Sequence, residues 1–416
     1  MATSVKVGTF QTGTGTTAIS PTSFGFQPRV VCMWTTYPGD AGDGANNYSL
    51  SFGCMTDEAT NQQRGIWMGC DQAIDNSDCN QIMYDDRVAR VYNGGTTLVG
   101  DLNMTSFDAD GFTVTPVDAF TSDTTFGYWA LGGTDITDAS LDTLSRDATI
   151  ATYSTTAPGF QPDFLLYFGT LGAAAVNTME ASAYLSLGFT DGTNAAVMAT
   201  EALDNQATSD TRQYTRSAAG QLELFALTQA ATGVLQRESF VSFDANGFTM
   251  NRVEASGTRS TFALTIKGGQ WFVGDLLSVT SITSIAETGV GFTPKGLVFL
   301  KASVTAGQNT SDTSTAGGSF SLGAATSSTE RFAMQTAAND GNAANTGYFN
   351  NQSTVKISLR HNPPDNVLQG DIDFTSMDAD GFTLAQEDAD PSQFFCVYFA
   401  VGNNAGGGVR RRQVIS

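Results

Sequence analysis

The sequence predicts an all-β protein: three tandem antiparallel, jelly-roll-like β-sandwiches, each about 135 residues long. Three observations lead there. Thr, Ser, Gly and Phe are plentiful while Lys is scarce, a composition that favours strands and tight turns over long helices. Four landmarks recur three times in the same order, at spacings of 132 to 136 residues. No segment shows a sustained 3.6-residue apolar period, whereas short apolar and alternating runs abound.

The first landmark is Gly-Phe-x-Pro: Gly25-Phe26-Gln27-Pro28, Gly159-Phe160-Gln161-Pro162 and Gly291-Phe292-Thr293-Pro294. A short apolar run follows each, Val30–Trp34, Phe164–Phe168 and Leu297–Leu300, as expected of a strand buried on both faces. The second is an alternating segment ending at Gly53, Gly188 and Gly323. About 50 polar residues follow, different in each copy, and read as loops and edge strands.

The third landmark is the most distinctive: Phe107-Asp108-Ala109-Asp110-Gly111-Phe112-Thr113, Phe243-Asp244-Ala245-Asn246-Gly247-Phe248-Thr249 and Met377-Asp378-Ala379-Asp380-Gly381-Phe382-Thr383. Asp favours the start of a type I turn and Gly a left-handed position in the bulge that follows, so each reads as a hairpin tip. The fourth is a closing strand ending at Gly132, Gly268 and Gly402. These landmarks place sandwiches of seven or eight strands at 1–135, 136–270 and 271–405, with a flexible Gly/Arg tail at 406–416. Each is large enough to hold its own core.

Aligned on those glycines, one face of the closing strand carries Phe126/Tyr128/Ala130, Phe262/Leu264/Ile266 and Cys396/Tyr398/Ala400. This face is expected to point into each sandwich. The opposite face differs: Gly127/Trp129/Leu131, then Ala263/Thr265/Lys267, then Val397/Phe399/Val401. Trp129 and Phe399 are therefore expected to be covered by another repeat, a loop or a neighbouring subunit, and Lys267 marks the second copy as open to water.

Composition excludes several functions. With 20 Lys+Arg against 41 Asp+Glu, the net charge of −21 repels nucleic acid. No window approaches the roughly 18 continuous apolar residues of a membrane span. A single histidine rules out multi-His metal sites. His361 sits in the string LRHNPPD, which reads as a loop, and is a poor catalytic base there. Asp-Ala-Asp-Gly resembles the start of a calcium loop, but a strand follows at once and Asn246 interrupts the pattern, so a structural turn is expected. Acidic pairs such as Asp85-Asp86 and Glu387-Asp388 occur in one copy only. Gly42-Asp43-Gly44 and Gly317-Gly318 lack the features of a phosphate loop. Trp67 and Trp271 fit a sugar-stacking platform or a core, and the core reading is preferred. No enzymatic activity, catalytic residue, metal or cofactor is expected.

Five cysteines show no metal-binding spacing. Free buried thiols are expected, with Cys70 and Cys79 placed to pair in an oxidising medium. The N-terminal MATSVKVGTFQTG has neither basic region nor apolar core, so no secretory signal is expected and folding begins in a cytoplasm. After Gly406-Gly407-Gly408, Arg410-Arg411-Arg412 is a basic cluster suited to an acidic neighbour.

The set of landmarks, Gly-Phe-x-Pro with its apolar strand, Phe-Asp-Ala-Asp-Gly-Phe-Thr and the closing strand, resembles a unit of virion structural proteins of tailed bacteriophages. It covers nearly the whole chain, with Met377 a departure from Phe. The resemblance implies a particle component located in the virion: head decoration, neck or collar, or tail, partnered by other virion proteins and by copies of itself. The alternative is a carbohydrate- or receptor-binding adhesin module of a tail or fibre, whose partner is a host surface glycan.

Overall fold

The computed structural model describes residues 2–37, 48–57, 62–71, 76–170, 176–217, 223–229, 233–255, 257–305, 315–341, 348–362 and 367–404. All the β-ladders among them are antiparallel, and no helix occurs among them. Three large sheets dominate. Sheet I runs Ser4–Gln11, Thr125–Gly132, Pro28–Thr35, Tyr48–Thr56, Gln63–Asp71, Asp78–Tyr84 in spatial order. Sheet II runs Ile136–Arg146, Arg259–Gly268, Phe164–Gly169, Ala183–Thr190, Ala195–Ala202, Thr211–Arg216. Sheet III runs Gln270–Leu277, Phe394–Gly402, Gly296–Thr305, Gly318–Ser327, Glu330–Ala338, Tyr348–Ser353. The strand order is the same in all three: opening strand, closing strand, the strand after Gly-Phe-x-Pro, then three in sequence.

A smaller sheet packs on each. The first holds Ala89–Tyr92, Leu98–Asp108 and Gly111–Pro116, with Ile19 and Thr22 bridged to its edge. The second holds Thr152–Thr155, Gly247–Glu254, Gly233–Asp244 and Glu223–Gln229. The third holds Thr283–Thr288, Gly381–Asp388, Val367–Asp378 and Ser358–Asn362. Neighbours in a sheet are mostly consecutive in the chain, giving two meanders per sandwich, where a jelly roll alternates strands between sheets.

Among the described residues, each third of the chain contributes nine to eleven strands, more than the seven or eight expected. Much of the surplus comes from the polar stretch expected to be loops and edge strands. Its Asn80, Gln81, Gln213, Asn350 and Gln352 are buried in strands. Two of them pair across the sheets: Asn350 Nδ2 donates to Tyr37 O (2.8 Å) and Gln352 Nε2 to Thr35 Oγ1 (3.1 Å). Paired in this way, a buried amide escapes most of the desolvation penalty that an isolated one carries.

Four large cores result. Three lie inside the sandwiches. Val31, Met33, Phe112, Tyr128 and Phe120 belong to the first. Leu165, Tyr167, Phe225, Phe248 and Ala263 belong to the second, and Leu297, Phe299, Phe382, Tyr398 and Cys396 to the third. The fourth and largest lies between the three large sheets, where their other faces meet: Val30, Trp34 and Trp129 from I, Phe164, Leu166 and Leu264 from II, Leu300, Val397 and Phe399 from III. This is why the runs Val30–Trp34, Phe164–Phe168 and Leu297–Leu300 are apolar at every position. Odd and even residues enter different cores.

The contacts run in a closed cycle. Glu180–Ala181, just ahead of the Ala183–Thr190 strand of sheet II, pairs with the Asp78–Tyr84 edge of sheet I. Thr315–Ala316, ahead of the corresponding strand of sheet III, pairs with the Thr211–Arg216 edge of sheet II. Residues 35–37 and 49 of the first third hydrogen-bond to Asn350 and Gln352 on the edge of sheet III. The first and last described residues meet as well. Thr3 N donates to Asn403 Oδ1 (2.9 Å), Thr3 Oγ1 donates to Gly402 O (2.9 Å), and Asn404 N donates to Asp135 Oδ2 (3.0 Å).

Trp129 and Phe399, 2% and 3% exposed, are covered by the neighbouring sheets. The second copy differs from expectation. Its Phe262, Leu264 and Ile266 face the central core and are fully buried, while Ala263 enters the sandwich interior. The pairings explain this. Two residues after the proline, Val30 pairs with Leu131, Phe164 with Ile266 and Gly296 with Val401. Leu131 and Val401 precede the aligned glycine by one residue, Ile266 by two. The match to Gly132 is Lys267, so aligning on Gly268 shifts the strand by one residue and exchanges its faces. Lys267 itself lies at the strand end, 3.6 Å from Asp138 and half exposed. The second copy is therefore covered like the others.

Candidate functional site: hairpin tips, grooves and buried polar pairs

The three distinctive motifs form hairpins whose last paired residues are Asp108/Gly111, Asp244/Gly247 and Asp378/Gly381. The first Asp staples its own hairpin. Asp108 accepts from Ser106 Oγ and Thr113 Oγ1, both at 2.7 Å. Asp244 and Asp378 repeat this with Ser242/Thr249 and Ser376/Thr383. The Thr383 and Ser376 hydroxyls hold the Asp378 carboxyl below its usual value. The second Asp fastens the tip to the Gly-Phe-x-Pro segment: Asp110 accepts from Gly25 N and Asp380 from Gly291 N, both at 2.6 Å. At Asn246 the backbone carbonyl does this, accepting from Gly159 N (3.0 Å). These carboxylates are occupied by hydrogen-bond donors, the arrangement of a turn rather than of a cation site.

The glycine serves a purpose other than the bulge expected. The register irregularity falls on the incoming strand, between Met104 and Ser106, Phe240 and Ser242, and Phe374 and Ser376. A Cβ on Gly111, Gly247 or Gly381 would stand 2.0 Å from the carbonyl oxygen of Pro21, Thr155 or Glu287. The glycine lets a neighbouring strand pass against the tip. Gly111→Ala, with φ near +150°, is expected to cost about 1–3 kcal/mol. It should also speed hydrogen exchange at the Ser23 and Gly25 amides. Unchanged urea stability and exchange would remove this role.

The remaining candidates separate. His361 stands on the Ser358–Asn362 strand rather than in a loop. Its Nδ1 lies 2.8 Å from Gln335 Oε1, and burial lowers its pKa. Trp67 is a core residue whose Nε1 donates to Ser49 Oγ (3.0 Å). Trp271 stacks on Phe164 at 4.0 Å and donates to Gly268 O. Asp86 binds Arg90 at 2.8 Å, and Glu387 pairs with Lys356. Gly317 and Gly318 form a turn with positive φ beside Thr315–Ala316. Gly42-Asp43-Gly44 and the tail, with Gly406–Gly408 and Arg410–Arg412, lie outside the described residues.

The expectation of free thiols is overturned for four of the five cysteines. Cys32 bonds to Cys54 and Cys70 to Cys79. Each pair lies directly across adjacent strands of sheet I, facing the central core. Sequence spacing reveals only the second, because the first depends on strand register. Cys396 stays a buried thiol whose pKa burial pushes up to about 12.

Two grooves were missed at sequence level. One of ≈ 490 Å³ at the first junction is lined by Phe26, Arg29, Asp57 and Thr134 among others. One of ≈ 230 Å³, between the second and third sandwiches, holds Asn194, Ser217, Phe272, Asp275 and Glu287. Burial raises both carboxyl pKa values there, and the Asp275 charge adds to that of Glu287. Hydroxyls of Ser217 (2.7 Å) and Tyr398 (2.8 Å) donate to them and offset part of the shift. The signal was their singularity: by register Asp275 stands where the first copy has Thr9.

A carboxyl with a raised folded-state pKa binds more protons folded than unfolded. The stability it contributes is full below the unfolded value of about 4 and lost as pH rises through the folded value. Asp275→Asn with Glu287→Gln is expected to flatten that decline in a series of melting temperatures against pH. An unchanged profile would contradict the assignment.

No protein-family model matches the chain, and no curated protein matches it in sequence.

Proposed function

We propose that the protein is a non-enzymatic structural subunit of a tailed-bacteriophage particle, in the head decoration, neck or tail, in contact with other virion proteins and copies of itself. The observation that carries this reading is the closed cycle of three sandwiches around one apolar core. Most of the recurring chemistry of the motifs goes into architecture: turn carboxylates that staple hairpins, glycines that admit a neighbouring strand. Three flanks of one design on a rigid block suit three-fold or six-fold surroundings. The acidic surface keeps such a block soluble and away from packaged nucleic acid.

The test is cryo-EM of the source particle. Density for this molecule is expected at symmetric, contacting positions. Particles without it, or with isolated copies that touch nothing, overturn the proposal. A second reading, a glycan-binding adhesin module, is favoured by the Asp275/Glu287 groove with its Phe272 wall. Specific glycan retention on an array, abolished by Asp275→Ala, would move the assignment there.

A further inference from the structure

The interior of the third sandwich holds a charged pair. Lys301 Nζ lies 2.5 Å from Asp390 Oδ2, with side chains 2% and 0% exposed. Lys301 lies on the Gly296–Thr305 strand, directly across from Cys396. Asp390 lies between the Gly381–Asp388 and Phe394–Gly402 strands, 89 residues away. Such a pair is a poor stabiliser, since desolvating two charges offsets their attraction.

The first sandwich shows that the fold does without it. By register, Lys301 corresponds to Thr35. Counting from the paired hairpin residues, Gly370 corresponds to Gly100. A Cβ on Gly100 would strike the Phe120 ring, and one on Gly370 would strike Asp390 Oδ1. Thus Asp390 fills in the third copy the place that a core phenylalanine fills in the first.

The bonding inventory is also wrong for an ion pair. An ammonium carries three N–H donors. Asp390 is its acceptor among the described residues, and Asp390 Oδ1 is buried there without a partner. An amide needs less: one N–H and one carbonyl oxygen.

We propose that Lys301 and Asp390 condense into an amide cross-link within the folded protein. A proton passes from the ammonium to the carboxylate, giving an amine and an acid. The amine lone pair forms the Nζ–Cγ bond. The bond from Cγ to Oδ1 breaks, and that oxygen leaves as water with one proton from the acid and one from the nitrogen. No oxidant or co-reactant is consumed. Gln386 Nε2, 3.3 Å from Oδ2, donates to the oxygen that stays and stabilises the charge developing on it. The product ties the large sheet of the third sandwich to the segment leading into its closing strand. Unlike the two disulfides of the first third, it is indifferent to reducing agents.

The test is intact mass spectrometry of the purified, reduced full-length protein, followed by peptide mapping. A mass lower by one water is expected, with a branched peptide joined through Lys301 and Asp390. Asp390→Asn is expected to give the same branched peptide with loss of ammonia instead, and Lys301→Arg to restore the full mass. Folded wild-type protein at full mass, or a water loss mapped to any other residue, overturns the proposal.

Discussion

Phe399→Ala is expected to lower the stability of the whole molecule by about 3–5 kcal/mol, in a single transition. The ring sits where the three sheets meet. It lies 5.5 Å from Trp129 of the first third, 4.8 Å and 5.2 Å from Phe164 and Phe189 of the second, and 6.1 Å from Trp271 beside it. The wall around it already encloses an apolar void of ≈ 20 Å³, lined by Cys32, Trp34, Phe52, Leu166 and Leu322 among others. Sheets held by ladders on both sides collapse poorly into a cavity, so the penalty stands at the upper end for a lost phenylalanine. Urea unfolding followed by tryptophan fluorescence and by circular dichroism checks it, because Trp34 and Trp129 report the central core directly. Two separated transitions, with the third sandwich melting first and the others unchanged, would show that the sandwiches are energetically independent.

The third sandwich produced alone, as residues 269–404, is expected to self-associate rather than remain a monomer. Its own interior core is complete, but Val298, Leu300, Leu322, Met334, Val397, Phe399 and Val401 lose their cover. Exposing each such side chain costs about 1.5–3 kcal/mol, so the summed penalty exceeds the stability of an ordinary domain. Three copies reproduce the arrangement of the full chain in outline and bury the same face. Size-exclusion chromatography with light scattering distinguishes the outcomes. A trimer or larger assembly is expected; a well-folded monomer at micromolar concentration contradicts it.

The legible part of the fold was what local chemistry dictates. Asp108, Gly111 and Phe112 mark a hairpin because a tip needs side-chain acceptors, a residue without Cβ and a buried anchor in fixed order. The apolar run from Val30 to Trp34 announced burial on both faces, but not what lay on the second face. That cover comes from Leu166 and Leu300, more than a hundred residues away, and no local period encodes it. The closing strand of the second copy shows how narrow the margin is. Lys267 stands where the first copy has Gly132, so aligning on Gly268 reversed its two faces, and only the pairing of Phe164 with Ile266 resolves them. Cys32 with Cys54, Asp275 with Glu287 and Lys301 with Asp390 were hidden for the same reason. Each pair depends on register or on packing across a sheet.

The meeting of Gly402–Asn404 with Ala2–Thr3, beside the first internal junction at Thr134–Asp135, bears on how far the three copies can diverge. A ring of identical subunits must accept every mutation three times over, once in each. Joining the copies end to end with little distortion releases that constraint. One copy can acquire two disulfides, another a half-exposed lysine, the third a buried lysine and aspartate, while the ring stays closed. Opening the chain at the Gly268-Gly269 junction and linking Asn404 to Ala2 would leave the same ring with its three unlike members in a new order of synthesis.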